Sequence, residues 1–209
     1  MALRPTLITF DIFGTILDWR TGLEEACRAA SRPLHGADFD RVVDAQAKLE
    51  KDDFRDYATI TCSSLVDVLG LHPDKAAEIG ANVGCWPLYP DAGVLRPLMG
   101  IAPCAAMTNS DHRHGEDVQA QLGFRLDAWL CAQEVRVYKP DPEFWREMGR
   151  LRGIEPGPGW WHVSAYADYD LQVANDLGLT TVLVQRPHAR PGSASHVVAD
   201  LAALLHLLS

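Results

Sequence analysis

The sequence contains no apolar run that approaches the ~20 residues a membrane-spanning helix requires. Its N-terminus carries no secretion signal, because a strand pattern already begins at Thr6. It also has no internal repeat and no low-complexity segment. We therefore expect a globular, cytoplasmic protein without a membrane partner.

Cysteine shows no spacing that indicates a disulfide framework or a zinc site. The cysteines are scattered, odd in number and without a CxxC pair: Cys27, Cys62, Cys85, Cys104 and Cys131. This set predicts reduced thiols, as in proteins of the cytosol.

Basic residues are outnumbered by acidic ones, 19 Lys and Arg against 28 Asp and Glu, which gives a formal net charge of −9. This charge argues against a nucleic-acid partner, because the phosphates would repel the protein. It allows a small anionic substrate, since the residues lining a pocket set the local field. A chain of 209 residues, 47% of them hydrophobic, can bury a substantial core as one domain or as a core with a small insert.

An apolar, β-rich run over residues 6–10 ends on Asp11, and Gly14-Thr15 follows at once as a turn signal. The run is typical of a strand buried on both faces of a sheet. Asp11 then lies at the carboxyl end of a strand, where open α/β sheets bind their ligands. There it can act as a nucleophile that forms a covalent ester, or it can cap the next turn. This stretch alone leaves both interpretations open.

Residues 19–86 contain no strand pattern. Helical patterns cover 18–30, 38–54, 57–69 and 73–83. Thr21 is the predicted N-cap of the first helix, with Glu24 completing a capping box. We therefore expect a run of helices inserted after the first strand.

From residue 93 onward, strand and helix patterns alternate, which predicts parallel βαβ units and a doubly wound α/β sheet. Strands are predicted at 101–107, 129–132, 160–164 and 180–184. Helices are predicted at 93–99, 114–122, 142–152, 171–177 and 196–207, and a loop at 186–192.

Four polar motifs follow the predicted strands in order: Asp11, Thr108-Asn109, Lys139 in VYKPDP, and Asp170. This order resembles the haloacid dehalogenase (HAD) superfamily over nearly the whole chain. DIFGT followed by Leu17-Asp18-Trp19 looks most similar to the type II 2-haloacid dehalogenases. The resemblance implies a HAD-like doubly wound parallel sheet, a Rossmann-like core, formed by residues 1–18 and 87–209. It also implies that residues 19–86 are a helical cap that closes over the nucleophile.

The resemblance makes Asp11 the nucleophile, which displaces a halide and forms an aspartyl ester that water hydrolyses. Lys139 would pair with Asp11 and keep it ionised, because a nearby cation lowers a carboxyl pKa by roughly 1–3 units. Asp170 would orient Lys139 or the hydrolytic water. Read without the resemblance, Lys139 is a solvated loop lysine.

Phe13 occupies the position at which HAD phosphatases carry a second aspartate that protonates the leaving oxygen. Phenylalanine neither donates nor accepts a proton, and a halide leaves without one. Phe13 therefore indicates carbon–halogen chemistry with an apolar wall for the leaving group; otherwise it is a plain core residue. Thr108 and Asn109 would donate hydrogen bonds to a substrate carboxylate or to Asp11, although Thr-Asn is also common as a turn.

We predict no metal and no cofactor. The motif HVSAYADYD aligns Asp170 with one magnesium ligand of the phosphatases, but the other falls on Ala165. Asp168 would supply the missing magnesium ligand if the alignment of this motif with the phosphatases were shifted. Ser164 and Tyr166 are candidate polar neighbours of the substrate. His112 and His114 are better explained by a polar helix start than by a metal site.

Dehalogenases commonly place an arginine on the cap to bind the substrate carboxylate or the halide. The alignment puts no arginine at that position, and Arg41 and Arg55 flank it, while Arg20 lies near the hinge. A bidentate clamp from Arg41 or Arg55 is one interpretation, and a surface location is the other.

The sequence thus predicts a metal-independent hydrolase of the 2-haloacid dehalogenase type, with a small haloacid as its substrate. The alternatives are a Mg²⁺-dependent HAD phosphatase and a non-catalytic relative that kept the fold. Dimerisation is common among such proteins, so a homodimer is an expectation from the resemblance.

Overall fold

The computed structural model describes residues 4–190 and 192–209. In this part of the chain, six parallel strands form one sheet in the order β3-β2-β1-β4-β5-β6. They are β1 (Leu7–Phe10), β2 (Cys104–Thr108), β3 (Ala128–Cys131), β4 (Trp160–Ser164), β5 (Thr180–Val184) and β6 (His196–Val198). β1 lies in the middle of the sheet. β2 and β3 extend the sheet to one edge, and β4, β5 and β6 extend it to the other edge. The predicted doubly wound α/β sheet is therefore confirmed.

Helices cover both faces of the sheet. The first four follow β1: α1 (Trp19–Ala29), α2 (Asp38–Leu49), α3 (Tyr57–Leu69) and α4 (Pro73–Ala81). The others accompany the later strands: α5 (Leu95–Met99), α6 (His112–Leu122), α7 (Ala132–Val135), α8 (Glu143–Arg152), α9 (Gln172–Asp176) and α10 (Leu201–Leu208). None of these helices has both the length and the apolar character needed to cross a membrane.

The helix boundaries differ from the predicted ones where tertiary contacts intervene. α3 has the predicted bounds and ends at Gly70, whose φ of +67° suits glycine. α1 is capped by Asp18, which accepts a hydrogen bond from the Thr21 backbone N–H at 3.1 Å, so the predicted Thr21 cap is wrong. α2 ends at Leu49 and not at residue 54, because the chain turns there to bring Phe54 onto Tyr138.

The predicted helix at 196–207 is wrong in its first part. His196–Val198 pairs with β5 as the edge strand β6, and Asp200 then caps α10 by accepting from the Ala203 backbone N–H at 2.7 Å. The edge of β5 offers backbone groups for pairing, and Val197-Val198 suits a strand.

β1 is buried along its whole length, as a central strand of a parallel sheet must be. Asp11 therefore leaves the sheet at its centre, next to the point where the strand order reverses between β1 and β4. The division into a core (1–18 and 87–209) and a cap (19–86) stays a prediction. Residues 1–3 of that core and Pro191 in the loop predicted at 186–192 lie outside the described residues.

The inserted helices are attached directly above the carboxyl edge of the sheet. Asp111, which follows β2, accepts hydrogen bonds from the backbone N–H groups of Tyr57 at 2.8 Å and Ala58 at 2.9 Å. A residue of the sheet region thus caps α3. The Tyr138 hydroxyl donates to the Arg55 carbonyl at 2.6 Å and adds a second attachment.

We predict that Gly80→Ala destabilises the packing of α3 against α4. A Cβ at position 80 would lie 2.5 Å from the Ala58 carbonyl oxygen, which is backbone and does not move aside easily. The expected loss is about 1–3 kcal/mol of unfolding free energy, measured by urea denaturation. Gly93→Ala is the control, because no atom lies within 4 Å of its added Cβ. Equal stability of the two variants would contradict this packing.

Candidate active site

Asp11 is almost completely buried, and both of its carboxylate oxygens accept a hydrogen bond. Lys139 Nζ donates to Oδ1 at 3.0 Å, and the Thr15 hydroxyl donates to Oδ2 at 2.6 Å. The Ala165 backbone N–H in turn donates to Thr15 Oγ1 at 2.9 Å. Sequence reasoning assigned Thr15 only to a turn. The sequence signal for its role as a hydrogen-bond donor to Asp11 was a hydroxyl four residues after the aspartate, on the same turn.

Lys139 is fully buried and joins two carboxylates. Its ammonium lies 3.0 Å from Asp11 Oδ1 and 2.9 Å from Asp170 Oδ2. Asn109 holds the backbone of Lys139 from both sides: its Oδ1 accepts from the Lys139 N–H at 2.8 Å, and its Nδ2 donates to the Lys139 carbonyl at 3.0 Å. The structure thus brings together the predicted Asp11, Lys139, Asp170 and Asn109, and Asn109 orients the lysine.

His162 completes the cluster on the far side of Asp170. It lies on β4, is fully buried, and its Nε2 is 3.1 Å from Asp170 Oδ1. Sequence reasoning missed this residue, because a histidine inside an apolar strand carries no motif of its own.

Burial and charge shift the ionisation of the cluster in different directions. Burial opposes the charged form of Lys139, but Asp11 and Asp170 outweigh it and raise the lysine's pKa. Burial also opposes ionisation of Asp170, yet Lys139 and His162 hold its pKa well below the usual range.

Lys139 lowers the pKa of Asp11, as expected, but it does not determine the net direction of the shift. Burial raises the pKa of Asp11, Lys139 opposes this rise, and the charge of Asp170 adds to it. The balance is a raised pKa, because burial and the second carboxylate outweigh the single ammonium. The surroundings thus stabilise the charge of an ionised Asp11 incompletely, which makes the carboxylate a better nucleophile.

A cavity of about 550 Å³ lies above Asp11 and Lys139. Aromatic side chains form much of its wall: Phe13, Trp19, Phe54, Tyr57, Tyr138, Tyr166 and Tyr169. The Phe13 and Tyr57 rings are tilted against each other with centroids 5.9 Å apart. Phe13 and Tyr166 therefore lie where the sequence interpretation placed them, next to the predicted nucleophile.

Two predicted substrate contacts are not part of the cavity wall. Thr108 is fully buried at the end of β2, and its hydroxyl donates to Ser110 Oγ at 3.3 Å. Ser164 is also buried, and its Oγ accepts from the Tyr166 backbone N–H at 3.1 Å. Both side chains stabilise strand ends, so the structure does not support direct contact of either with a substrate.

The predicted cap arginines are likewise placed elsewhere. Arg41 pairs with Asp38 at 3.3 Å, and Arg55 pairs with Asp52 at 3.2 Å. Neither is among the described residues that line the cavity. Arg20 pairs with Glu24 one helical turn along α1, at 3.0 Å. Arg20 and Arg41 lie on helices and Arg55 lies in the loop before α3, and each of the three pairs with an acidic residue three or four positions away in the chain.

Two other arginines line the cavity instead. Arg190 pairs with Asp168 at 3.3 Å and with Asp44 on α2 at 3.6 Å. The Arg136 guanidinium lies 4.1 Å from the centre of the Phe54 ring, and no acidic side chain of the described residues pairs with it. Both follow predicted strands by several residues, so motif spacing gave no sign of them.

Glu50 is an acidic group of the cavity that sequence reasoning also missed. It follows the end of α2, and its Oε2 accepts a hydrogen bond from Asn109 Nδ2 at 3.3 Å. Burial raises the pKa of Glu50 to about 8, although Lys139 and the Asn109 hydrogen bond oppose the rise. Near neutral pH this carboxyl group is therefore mostly protonated and can donate a hydrogen bond.

The residues around Asp11 do not fit a magnesium ion. Both oxygens of Asp170 are taken by Lys139 and His162, and Phe13 and Ala165 provide no ligand atoms. Magnesium requires near-octahedral coordination by oxygen, usually with carboxylates that are free to bind it. Asp168 pairs with Arg190 and is half exposed, so it does not supply the missing carboxylate.

A separate group of possible ligands lies outside the cavity. One ligand atom each of His112, Cys131 and Glu134 lies within 4.8 Å of the others. His114 is not part of it: its Nδ1 accepts from the Asp111 backbone N–H at 3.3 Å, and its Nε2 lies 3.0 Å from the Gly80 carbonyl. The interpretation of His114 as part of a polar helix start is consistent with these contacts.

We predict that Lys139→Met destabilises the fold by about 3–5 kcal/mol at pH 7, because it leaves two buried carboxylates without a cation. Adding Asp170→Asn should recover part of this loss, since the two sites interact directly. The loss should shrink toward pH 4, where the carboxylates take up protons. Urea denaturation measures the unfolding free energy of Lys139→Met at pH 7, of the double variant at pH 7, and of Lys139→Met at pH 4. Lys75→Met, which removes an exposed pair with Glu78, is the control and should change stability by less than about 1 kcal/mol.

Comparison with known proteins is consistent with this geometry. A family model described as haloacid dehalogenase-like hydrolase matches residues 5–158. The comparison with curated proteins gives no match. Among solved structures, L-2-haloacid dehalogenase PA0810 is similar at a TM-score of 0.83 and 26% identity, covering 98% of this chain and 100% of that chain.

Two further structures show the same fold at lower identity. The defluorinating L-2-haloacid dehalogenase Rha0230 has a TM-score of 0.81 and 23% identity, covering 98% of this chain and 95% of that one. The L-2-haloacid dehalogenase from Xanthobacter autotrophicus, with chloropropionic acid covalently bound, has a TM-score of 0.81 and 17% identity, with 98% coverage of both chains. Taken with the family match, the chain belongs to the haloacid dehalogenase-like hydrolases of the HAD superfamily.

Proposed function

We propose that this protein hydrolyses the carbon–halogen bond of a 2-haloacid through an ester on Asp11, without a metal ion. The observation that carries the proposal is the buried Asp11–Lys139–Asp170 cluster beneath an aromatic cavity. Phe13 supports it, because this position holds no acid to protonate an oxygen leaving group. Residues 19–86 act in this proposal as the cap over the nucleophile.

In the first step, a carboxylate oxygen of Asp11 attacks the carbon that bears the halogen. The electron pair of the carbon–halogen bond leaves with the halide, and the new carbon–oxygen bond is the ester. Water then attacks the ester carbonyl carbon, the hydroxyacid leaves, and one proton is released to solvent. Lys139 donates a hydrogen bond to one oxygen of Asp11 and Thr15 donates to the other. Whichever oxygen forms the ester, a donor therefore remains at the other one, which carries the negative charge when water attacks the ester carbonyl.

Arg136 is our candidate for binding the substrate carboxylate. It lines the cavity three residues before Lys139, and no acidic side chain in the described ranges neutralises it. Protonated Glu50 supports the same role, because its neutral carboxyl group donates a hydrogen bond and does not repel an anion. Aromatic rings carry partial positive charge at their edges, which is favourable for a leaving halide.

The cavity volume favours a substrate larger than a haloacetate. Cavities of this size, about 550 Å³, enclose ligands of many more heavy atoms. A 2-haloacid with a longer or aromatic side chain would fill the aromatic wall and exclude water from the ester.

We predict that halide release survives EDTA and falls at least about 10³-fold in Asp11→Asn. The panel is chloro-, bromo- and fluoroacetate, both 2-chloropropionate enantiomers, 2-bromohexanoate and 2-bromo-3-phenylpropionate. The larger acids should give the higher kcat/KM. In a single turnover in H₂¹⁸O, the label should enter Asp11 first, because water attacks the ester carbonyl carbon.

Lack of halide release from the whole panel would overturn the proposal. A set of phosphate esters with Mg²⁺ then tests the phosphatase alternative. A protein that acts on neither set, and whose Asp11→Asn variant binds the same ligands, would be a non-catalytic relative.

We predict a second effect at Glu50. As pH rises through about 8, Glu50 ionises and repels the anionic substrate, so KM should rise in the wild type and stay flat in Glu50→Gln. Stability follows the same group. Because the folded-state pKa of Glu50 is raised, the wild type loses stability as pH increases from about 4.5 to 8, and the variant avoids this loss.

Glu50→Gln should therefore melt several degrees above the wild type at pH 9 and close to it at pH 4.5. Thermal denaturation at both pH values checks this difference. Glu24→Gln, on the exposed face of α1, is the control and should follow the wild type throughout. A parallel pH dependence of wild type and Glu50→Gln would contradict the assignment.

A further inference from the structure

The catalytic cluster continues below Asp170 into the sheet. His162 Nδ1 lies 2.8 Å from the hydroxyl oxygen of Thr9 on β1, while its Nε2 faces Asp170. Thr9 Oγ1 also accepts a hydrogen bond from Trp160 Nε1 at 2.8 Å. A buried chain of hydrogen bonds thus connects the sheet interior with Asp11 through Asp170 and Lys139.

The Thr9 hydroxyl has two acceptors within reach, and this allows His162 two protonation states. With a neutral imidazole, the hydroxyl donates to His162 Nδ1. With a charged imidazole, Nδ1–H donates to Thr9 Oγ1, and the hydroxyl turns to the Trp161 carbonyl at 3.3 Å. In both states Nε2–H donates to Asp170, so the imidazole nitrogens and the Thr9 hydroxyl are all paired.

Charge balance explains why such a donor is needed. Asp11 and Asp170 share the single ammonium of Lys139, and all three are shielded from solvent. Without a second donor, Lys139 would be the only cation or donor that stabilises Asp170. The ammonium would then interact more strongly with Asp170 and less strongly with Asp11. The His162 hydrogen bond satisfies the other oxygen of Asp170.

The surroundings of the imidazole leave Asp170 as the group it acts on. Trp145 of α8 packs edge-on against the ring at 5.6 Å, and the register partner of His162 on β5 is Thr181. Of the groups that contact His162 from these elements, from β1 and from the turn after β4, Asp170 is the one that carries a charge.

We propose that His162 is a positioning residue, which holds Asp170 and offsets its charge so that Lys139 remains against an ionised Asp11. The role in turnover rests on the proposed function. The effect on the ionisation of Asp11 does not, and it is measurable without any substrate.

Three variants separate this role from simple packing. His162→Phe keeps the ring volume and removes both hydrogen bonds. His162→Gln keeps one donor and one acceptor in the same side chain. Trp145→Phe is the control, because it disturbs the packing against the imidazole while Trp145 Nε1 has no partner in the described structure to lose.

The first readout is the ¹³C NMR titration of the Asp11 carboxyl group in substrate-free protein, assigned by its absence in Asp11→Asn. Its midpoint should rise in His162→Phe and remain near the wild-type value in His162→Gln and Trp145→Phe. A wild-type midpoint in folded His162→Phe would overturn the proposal. An equal rise in all three variants would do the same, because it would show a packing effect.

The second readout needs no variant. The imidazole ¹⁵N shifts of the wild type should show His162 Nε2 protonated wherever Asp170 is ionised, and an unprotonated Nε2 would refute the proposed hydrogen bond. This keeps the inference testable should His162→Phe not fold.

The third readout is turnover. In His162→Phe, kcat for halide release should fall about 10- to 100-fold with little change in KM, and the acidic limb of its pH profile should move to higher pH. His162→Gln should recover most of this loss. If the wild type releases no halide but the Asp11 titration shifts as expected, the proposed function fails while the role of His162 stands.

Discussion

The ion cluster around Lys139 is the interaction on which the rest of the structure depends. A fully buried ammonium is tolerable only because two carboxylates lie within 3.0 Å of it, and each carboxylate is tolerable only because it has a further donor. Thr15 provides this donor for Asp11, and His162 provides it for Asp170. The central strand and the reversal of strand order beside it bring these groups to one point at the carboxyl edge of the sheet.

The segment between β1 and β2 completes the wall of the cavity above Asp11. Asp11 and Lys139 form its floor, whereas the end of α2, the following loop and the start of α3 bring Glu50, Phe54 and Tyr57 to the cavity. Their position is fixed by contacts to the core, above all by Asp111 at the start of α3. Arg41 and Arg55 of the same segment pair with neighbouring acidic residues and do not line the cavity, whereas Arg136 and Arg190 do. The arginines that line the cavity thus come from a later part of the chain than the sequence resemblance implied.

Much of the fold was predictable because it depends on local patterns. α3, β4 and β5 have the predicted bounds, since glycine turns and apolar runs define them without help from distant residues. β6 was not predictable in this way, because His196–Val198 becomes a strand only when the edge of β5 is available for pairing. The alignment of Asp11, Lys139 and Asp170 was also predictable, since all follow strands whose carboxyl ends meet at one edge. Thr108 and Ser164 follow the same rule but point into the interior, which strand order alone does not reveal.

The sequence by itself determined the α/β class, the chain order of the polar motifs and the presence of phenylalanine at position 13. These are properties of periodicity and of residue type, and both are local. Only the tertiary structure decided the direction of the pKa shift of Asp11, the contact of His162 with Asp170 and the raised pKa of Glu50. Each of these depends on burial and on distances between residues far apart in the chain, and electrostatic interactions change sign and size with both.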